Sequence, residues 1–223
     1  MKLSIIVPVY NEEKTICEII NRLTKLEIDK EIIVVNDCSS DETLLLVNKF
    51  DHLKIISHPV NMGKGAAIRT GLKNAVGDII VVQDGDLEYN PECIPTLMKP
   101  ILENNVDVVY GSRFLGKNKG MRFINFIANK GLTMVTNVIY GAKITDMETC
   151  YKLVRASIIK EISLRANRFD FEPEITAKIL KKRVRFMEIP IDYSGRTHKE
   201  GKKIGWKDGV QALWSLIKYR FVD

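Results

Sequence analysis

The 223-residue sequence predicts an α/β protein: a single domain with a mostly parallel sheet flanked by helices. Three observations predict it. Short apolar runs at 3–9, 31–35, 54–57, 78–83 and 106–110 alternate with segments whose apolar residues recur at helical spacing, the pattern of βαβ units. The runs are apolar throughout rather than alternating, as in strands buried on both faces. Polar segments rich in Asp, Asn and Gly follow the runs, and in open α/β sheets ligands bind beyond the carboxyl ends of the strands.

Taken in order, the first strand ends around Pro8, and Asn11 stands as N-cap of a helix carrying Ile16, Ile19, Ile20 and Leu23. The second strand runs into Asn36-Asp37-Cys38-Ser39-Ser40-Asp41-Glu42, where Ser39 and Glu42 have capping-box spacing ahead of a helix at 44–50. The third leads through Asn61-Met62-Gly63-Lys64-Gly65 into a helix at 66–74. The fourth, Ile79-Ile80-Val81-Val82, emerges into Gln83-Asp84-Gly85-Asp86. Asn90-Pro91 start a helix reaching about residue 104, and a fifth strand precedes Gly111-Ser112-Arg113. Right-handed crossovers bring Pro8 to Glu12, Asp37, and Asp84 to Asp86 to one sheet edge. Beyond Arg113 the alternation fades. A helix at 123–140 is apolar on most faces, strands are expected at 149–154 and 184–189 with a helix at 172–181 between them, and a last helix at 206–221 carries Val210, Leu213, Trp214, Ile217 and Phe221 at helical spacing. The chain thus reads as a nucleotide-binding half, 1–113, and an acceptor-binding half, 114–223.

Composition is that of a soluble protein, 45% hydrophobic and 28% charged. No run approaches the roughly 18 apolar residues of a membrane span, and the first strand begins at the N-terminus, so the expectation is a cytoplasmic protein. Cys17, Cys38, Cys93 and Cys150 are widely spaced without a CxxC pair and read as packing thiols. The net charge of +6 and pI near 9.0 favour anionic partners. Arg196, Lys199, Lys202, Lys203 and Lys207 stand against the single acid Glu200, a basic stretch with Gly195, Gly201 and Gly205 interleaved, suited to closing over a phosphate. It lacks interleaved stacking aromatics, which argues against nucleic acid.

The acidic motif carries the chemistry. Asp84 and Asp86 are two hard oxygen ligands at one strand end and suit Mg²⁺ or Mn²⁺, an ion that brings substrate phosphates with it. Gly63-Lys64-Gly65 lacks the upstream glycine and the hydroxyl residue of a P-loop, and Ile68 stands where a dinucleotide fingerprint needs its third glycine. What remains is a nucleoside diphosphate held through a metal.

Pro8-Val9-Tyr10-Asn11-Glu12-Glu13, Val35-Asn36-Asp37 with Ser39 and Asp41, Asn61-x-Gly63-Lys64-Gly65, Asp84-Gly85-Asp86 and Gly111-Ser112-Arg113 occur in an order and spacing that resemble family 2 glycosyltransferases of GT-A fold. Within them the chain resembles the dolichyl-phosphate mannose synthase group, and the likeness continues through Asp146 to Lys152 and Gly195-Arg196-Thr197. The resemblance implies a nucleotide-sugar donor, with UDP and GDP both open, and a polyprenyl phosphate acceptor met by peripheral binding at the membrane surface. It implies that Pro8, Tyr10, Glu12, Val35 and Asp37 hold the nucleoside, with Lys64 and Gly85 alongside. Asp84 and Asp86 would bind metal and diphosphate. Glu88 stands where the group often has Gln and would be a third metal ligand. Arg113 would meet the acceptor phosphate, with Arg122 and Lys130 as further basic residues. Arg196, Lys202 or Lys203 would face the leaving diphosphate, and Asp146 and Glu148 would position sugar or acceptor hydroxyls or serve a structural turn. His198 would complete the metal shell or stand solvated.

Two other functions fit parts of the sequence. A transferase acting on a sugar hydroxyl would need a carboxylate base. A noncatalytic nucleotide- or nucleic-acid-binding protein would use the charge alone.

Overall fold

The structure, a computed structural model, describes residues 1–195 and 206–222. Four strands run parallel in the order β3 (Lys54–Ser57), β2 (Lys30–Asn36), β1 (Leu3–Val9), β4 (Ile79–Val82). The sheet then continues through β7 (Lys152–Arg155), β5 (Val108–Ser112) and β8 (Phe186–Pro190). Every residue of β1, β4 and β5 is buried, which is why these runs are apolar but for Ser4 and Ser112 rather than alternating. One continuous core joins them, and each fully buried Ile or Leu in it contributes about 1.5–3 kcal/mol.

β7 is antiparallel to both its neighbours, β4 and β5. The second half of the chain therefore enters the middle of the sheet. A small parallel pair, β6 (Asn118–Lys119) and β9 (Tyr193–Ser194), lies outside the main sheet.

Helices α1 (Ile16–Thr24), α2 (Thr43–Val47), α3 (Lys64–Asn74) and α4 (Ile94–Leu102) connect the first strands. α1 buries Ile16, Ile19, Ile20 and Leu23, the stripe seen in the sequence. The later helices are α5 (Phe123–Tyr140), α6 (Ala156–Ile159), α7 (Phe171–Lys181) and α8 (Trp206–Phe221). α5 and α8 match the expected helices at 123–140 and 206–221.

Neither predicted N-cap forms. α1 is preceded by Thr15 and α2 by Glu42, each without a side-chain cap. Asn11 instead adopts φ 54° and its side-chain oxygen accepts from the Ser40 N–H at 2.8 Å, while the Ser39 hydroxyl accepts from the Asn11 N–H at 3.1 Å. The polar residues after β1 and β2 link two loops across the sheet edge rather than ending helices.

Candidate active site

The register places Val9 of β1 beside Asn36 of β2, and Ile6 of β1 beside Val82 of β4. The loops leaving these three strands are therefore neighbours, and between them opens a cavity of about 320 Å³. Pro8, Tyr10 and Glu12 line it from β1, Asp37 from β2, and Asp84, Gly85, Asp86 and Glu88 from β4. Asn61, Gly63, Lys64 and Ala67 close one side, and Arg168 and Phe169 come from the second half of the chain.

Local hydrogen bonds fix each wall. Asp37 is buried, and its carboxylate accepts from the N–H groups of Met62 at 2.8 Å and Gly63 at 2.7 Å and pairs with His58 Nδ1 at 2.7 Å. It shapes the loop that leads into α3 as well as facing the cavity. Gly63 has φ +93°, and a Cβ there would stand 2.3 Å from the Asn167 carbonyl oxygen; one on Gly65 would stand 2.5 Å from that of Ala166. The start of α3 is thus pressed onto the 166–167 backbone, and the Ala66 N–H donates to Asn167 at 3.1 Å. The Thr15 hydroxyl donates to the Gly85 carbonyl at 2.8 Å, tying the acidic loop to the entry of α1.

Lys64 begins α3. Its ammonium lies 2.8 Å from Asp84 Oδ1 and 3.0 Å from Glu172 Oε1 on the first turn of α7. Burial alone would lower its pKa, but the two carboxylates outweigh burial and hold it well above the ordinary lysine value. The Asp86 carboxylate accepts from the Glu88 N–H at 3.0 Å.

Several expected residues stand elsewhere. Val35 is fully buried in β2, a core residue and not part of the cavity wall. Arg113 does not line the cavity. Its Nε and Nη2 donate to Asp146 at 2.8 and 2.7 Å, so the fork read as a phosphate clamp is engaged by a buried carboxylate. Asp146 is fully buried, takes the Arg113 N–H as well, and is held by Glu188, which accepts from its N–H at 3.1 Å. Asp146 is thus the partner that a buried guanidinium requires. Lys130 stacks on Phe114 at 4.1 Å, and Arg122 is exposed at the head of α5. Arg196, His198, Lys202 and Lys203 lie outside the described residues.

The metal triad of Asp84, Asp86 and Glu88 is not assembled. Glu88 Oε2 accepts from the Tyr193 hydroxyl at 2.6 Å, and among the described residues no three His, Cys, Asp or Glu side chains gather as a ligand set. The donors that remain still fit a hard divalent ion. Asp84 and Asp86 share one cavity, and Mg²⁺ is commonly held by one or two carboxylates with substrate phosphates and water completing the shell. An ammonium already rests on Asp84.

Glu148, named from the sequence alongside Asp146, is not on the cavity wall but in a buried charged cluster with Lys152. Glu148 Oε1 is buried without a hydrogen-bond partner. Burial first, then the nearby charge of Glu172, pushes its carboxyl up to about 7. Lys152 is buried beside it and its pKa is lowered by burial. Glu172, Arg168 and Phe169 left no signal in motif or spacing: Arg168 and Phe169 line the cavity from the segment ahead of α7, and Glu172 meets it only through its pairing with Lys64.

Comparison with known proteins places these observations. The model of glycosyl transferase family 2 matches residues 4–163. An uncharacterized protein of Methanocaldococcus jannaschii is 32% identical over 97% of this chain and 91% of its own length. The dolichol-phosphate mannosyltransferase of Pyrococcus furiosus is 31% identical over 98% of this chain, which spans 64% of that protein. The UDP-N-acetylglucosamine–dolichyl-phosphate N-acetylglucosaminyltransferase of Methanococcus voltae is 31% identical over 84% of this chain and 83% of its own length. Among solved structures, glucosyl-3-phosphoglycerate synthase from Mycobacterium tuberculosis, in complex with Mn²⁺, UDP and phosphoglyceric acid, superposes with a TM-score of 0.77 at 18% identity, covering 100% of this chain and 79% of that one. That likeness shows the GT-A fold.

Proposed function

The chain belongs to glycosyl transferase family 2 and is a glycosyltransferase, and from that premise we propose that it moves a sugar from a UDP- or GDP-sugar to a polyprenyl phosphate. One observation carries the reading: three neighbouring strand ends and the head of α3 set Tyr10, Glu12, Asp37, Lys64, Asp84 and Asp86 around one cavity. Relatives named for transfer to dolichyl phosphate support the acceptor class.

Pro8, Tyr10 and Glu12 form the nucleoside wall with Asp37, and Lys64 faces the diphosphate. Asp84 and Asp86 would hold a divalent ion, which would neutralise charge developing on the leaving diphosphate. A lipid phosphate is already an anion at neutral pH, so the nucleophile needs no general base, and in-line attack inverts the anomeric carbon. Arg168 lines the cavity and takes the role of anion contact in place of Arg113, whose fork Asp146 fills.

The acceptor chain would reach the site from a membrane surface. α5 turns Phe123, Ile127, Met134 and Val138 outward, and α8 turns Val210, Trp214, Ile217 and Phe221 outward, with Lys218 and Arg220 on α8. Among the described residues no helix is long and apolar enough to cross a membrane, so contact would be peripheral.

Transfer to a sugar hydroxyl is the second reading; it would need a carboxylate base, and Glu148, whose buried carboxyl is pushed up to about 7, is the acid its test removes. Labelled UDP- and GDP-sugars, offered with Mn²⁺ to undecaprenyl phosphate, dolichyl phosphate or a glycan acceptor, separate the two. The expected product is lipid-linked, falling about 100-fold or more in Asp86→Asn and persisting in Glu148→Gln. Product on the glycan alone, abolished by Glu148→Gln, overturns the lipid phosphate reading.

A further inference from the structure

Lys64 stands where a lysine is electrostatically out of place. The first turn of a helix carries the positive end of the macrodipole, and a cation there is unfavourable unless acids surround it. Two do, from distant parts of the chain: Asp84 at 2.8 Å and Glu172 at 3.0 Å. The helix itself is pinned. The Gly63 N–H is held by Asp37, and Gly63 and Gly65 abut the carbonyls of Asn167 and Ala166. What is left to move is the four-carbon stem of Lys64, whose side chain remains 18% exposed at the cavity wall. Resting on Asp84 as an ion ligand, we propose that Lys64 is an exchangeable tethered cation. In the free protein its ammonium holds Asp84 in place of the divalent ion, and it withdraws to Glu172 and the entering diphosphate when ion and nucleotide arrive together.

The exchange follows from charge. An ammonium within 3 Å of Asp84 and a divalent ion on the same carboxylate repel at short range, so the ion entering alone must displace Lys64 and gains nothing in return. When a diphosphate enters with the ion, its oxygens receive Lys64, and Glu172 keeps one side of the ammonium paired throughout. Ion and nucleotide then promote each other's binding, and the promotion is reciprocal by linkage. Asp84 is kept paired before substrate arrives, so the protein avoids a desolvated acidic pocket while free. The device also restrains capture of a divalent ion without donor.

The two partners of Lys64 give opposite signs in one measurement. Mn²⁺ is titrated alone, followed by the loss of its free electron paramagnetic resonance signal, into the full chain and into Lys64→Met and Glu172→Gln, each checked for folding by circular dichroism. Removing the competitor in Lys64→Met is expected to tighten Mn²⁺ binding at least tenfold. Removing the alternative berth in Glu172→Gln is expected to weaken it about threefold or more, because Lys64 then stays on Asp84. Adding UDP or GDP is expected to strengthen Mn²⁺ binding in the wild type and much less in Lys64→Met. Unchanged or weaker Mn²⁺ binding in Lys64→Met, or tighter binding in Glu172→Gln, overturns the exchange while leaving the transferase reading intact. A wild-type protein that binds neither nucleotide with Mn²⁺ overturns that reading and the exchange with it. If one variant fails to fold, the sign of the other decides.

Discussion

Asp146 and Glu148 are two residues apart, and their surroundings give them opposite behaviour. Asp146 accepts three hydrogen bonds from Arg113, all in the interior. Asp146→Ala leaves a buried guanidinium without its carboxylate, a change that costs about 3–5 kcal/mol, and urea unfolding at pH 7 should show a loss of that size. A loss below about 1 kcal/mol would mean that the pair is open to water. Glu148 has an unpartnered buried oxygen, and its carboxyl stands above the ordinary 4.5, at about 7. An acid with a raised folded-state pKa holds its proton more tightly folded than unfolded. Between about 4.5 and 7 the folded protein therefore carries the extra proton, and Glu148 makes stability fall as pH rises through that window. Glu148→Gln removes this dependence. The advantage of the variant over wild type in urea unfolding should grow from pH 5 to pH 7.5 and level off above; a difference that is flat with pH would place the Glu148 carboxylate in water. These environments were invisible in the sequence. Acid positions were legible at Asp84 and Asp86 because a strand end announces them, whereas the partner of Asp146 lies 33 residues away in Arg113, and nothing local signals it.

At the scale of elements, strands were legible where both faces are buried, α5 as a long run apolar on most faces, and α8 where helical spacing persists over four turns. The antiparallel direction of β7 was not, since composition and period are the same for either direction. Caps failed for a related reason: Asn11 and Ser39 have the right chemistry for a helix start but found each other's loops first. Glycines divide in the same way between local and tertiary meaning. Gly65 lies in the first turn of α3 with the Ala166 carbonyl 2.5 Å from where a Cβ would be, whereas Gly131 lies within α5 with nothing inside 4 Å. Gly65→Ala forces α3 away from the 166–167 backbone at a cost of about 1–3 kcal/mol and carries Lys64 with it, so nucleotide affinity by calorimetry should fall at least tenfold. Gly131→Ala only restricts the unfolded chain and improves helix propensity, and should raise stability by about 0.5–1 kcal/mol with affinity unchanged. Equal effects at the two positions would show that α3 is not clamped.

Across the whole molecule, large apolar side chains stay exposed on one side. α5 buries Thr133 and Thr136 and exposes Phe123 by 76% and Val138 by 79%; α8 buries Ser215 and exposes Trp214 by 64% and Phe221 by 83%. The two helices pack together, with the Tyr140 hydroxyl donating to the Leu216 carbonyl at 2.7 Å, so their outward residues belong to one assembly. Paired apolar stripes of this kind cost solubility unless something covers them. On the proposed lipid-linked acceptor, a bilayer interface would suit both the apolar stripes and the cations Lys218 and Arg220, because aromatic side chains enter the headgroup region while cations meet anionic lipid. The double variant Phe123→Asp with Trp214→Asp touches neither the core nor the cavity. It should keep the wild-type unfolding temperature and nucleotide affinity while its co-sedimentation with phosphatidylglycerol vesicles drops at least tenfold. Raising salt should weaken wild-type binding only in part, since screening reaches the cations and not the buried rings. Undiminished sedimentation of the double variant rules out this face as the lipid contact, and a wild-type dimer that the variant splits assigns it to a second copy of the chain.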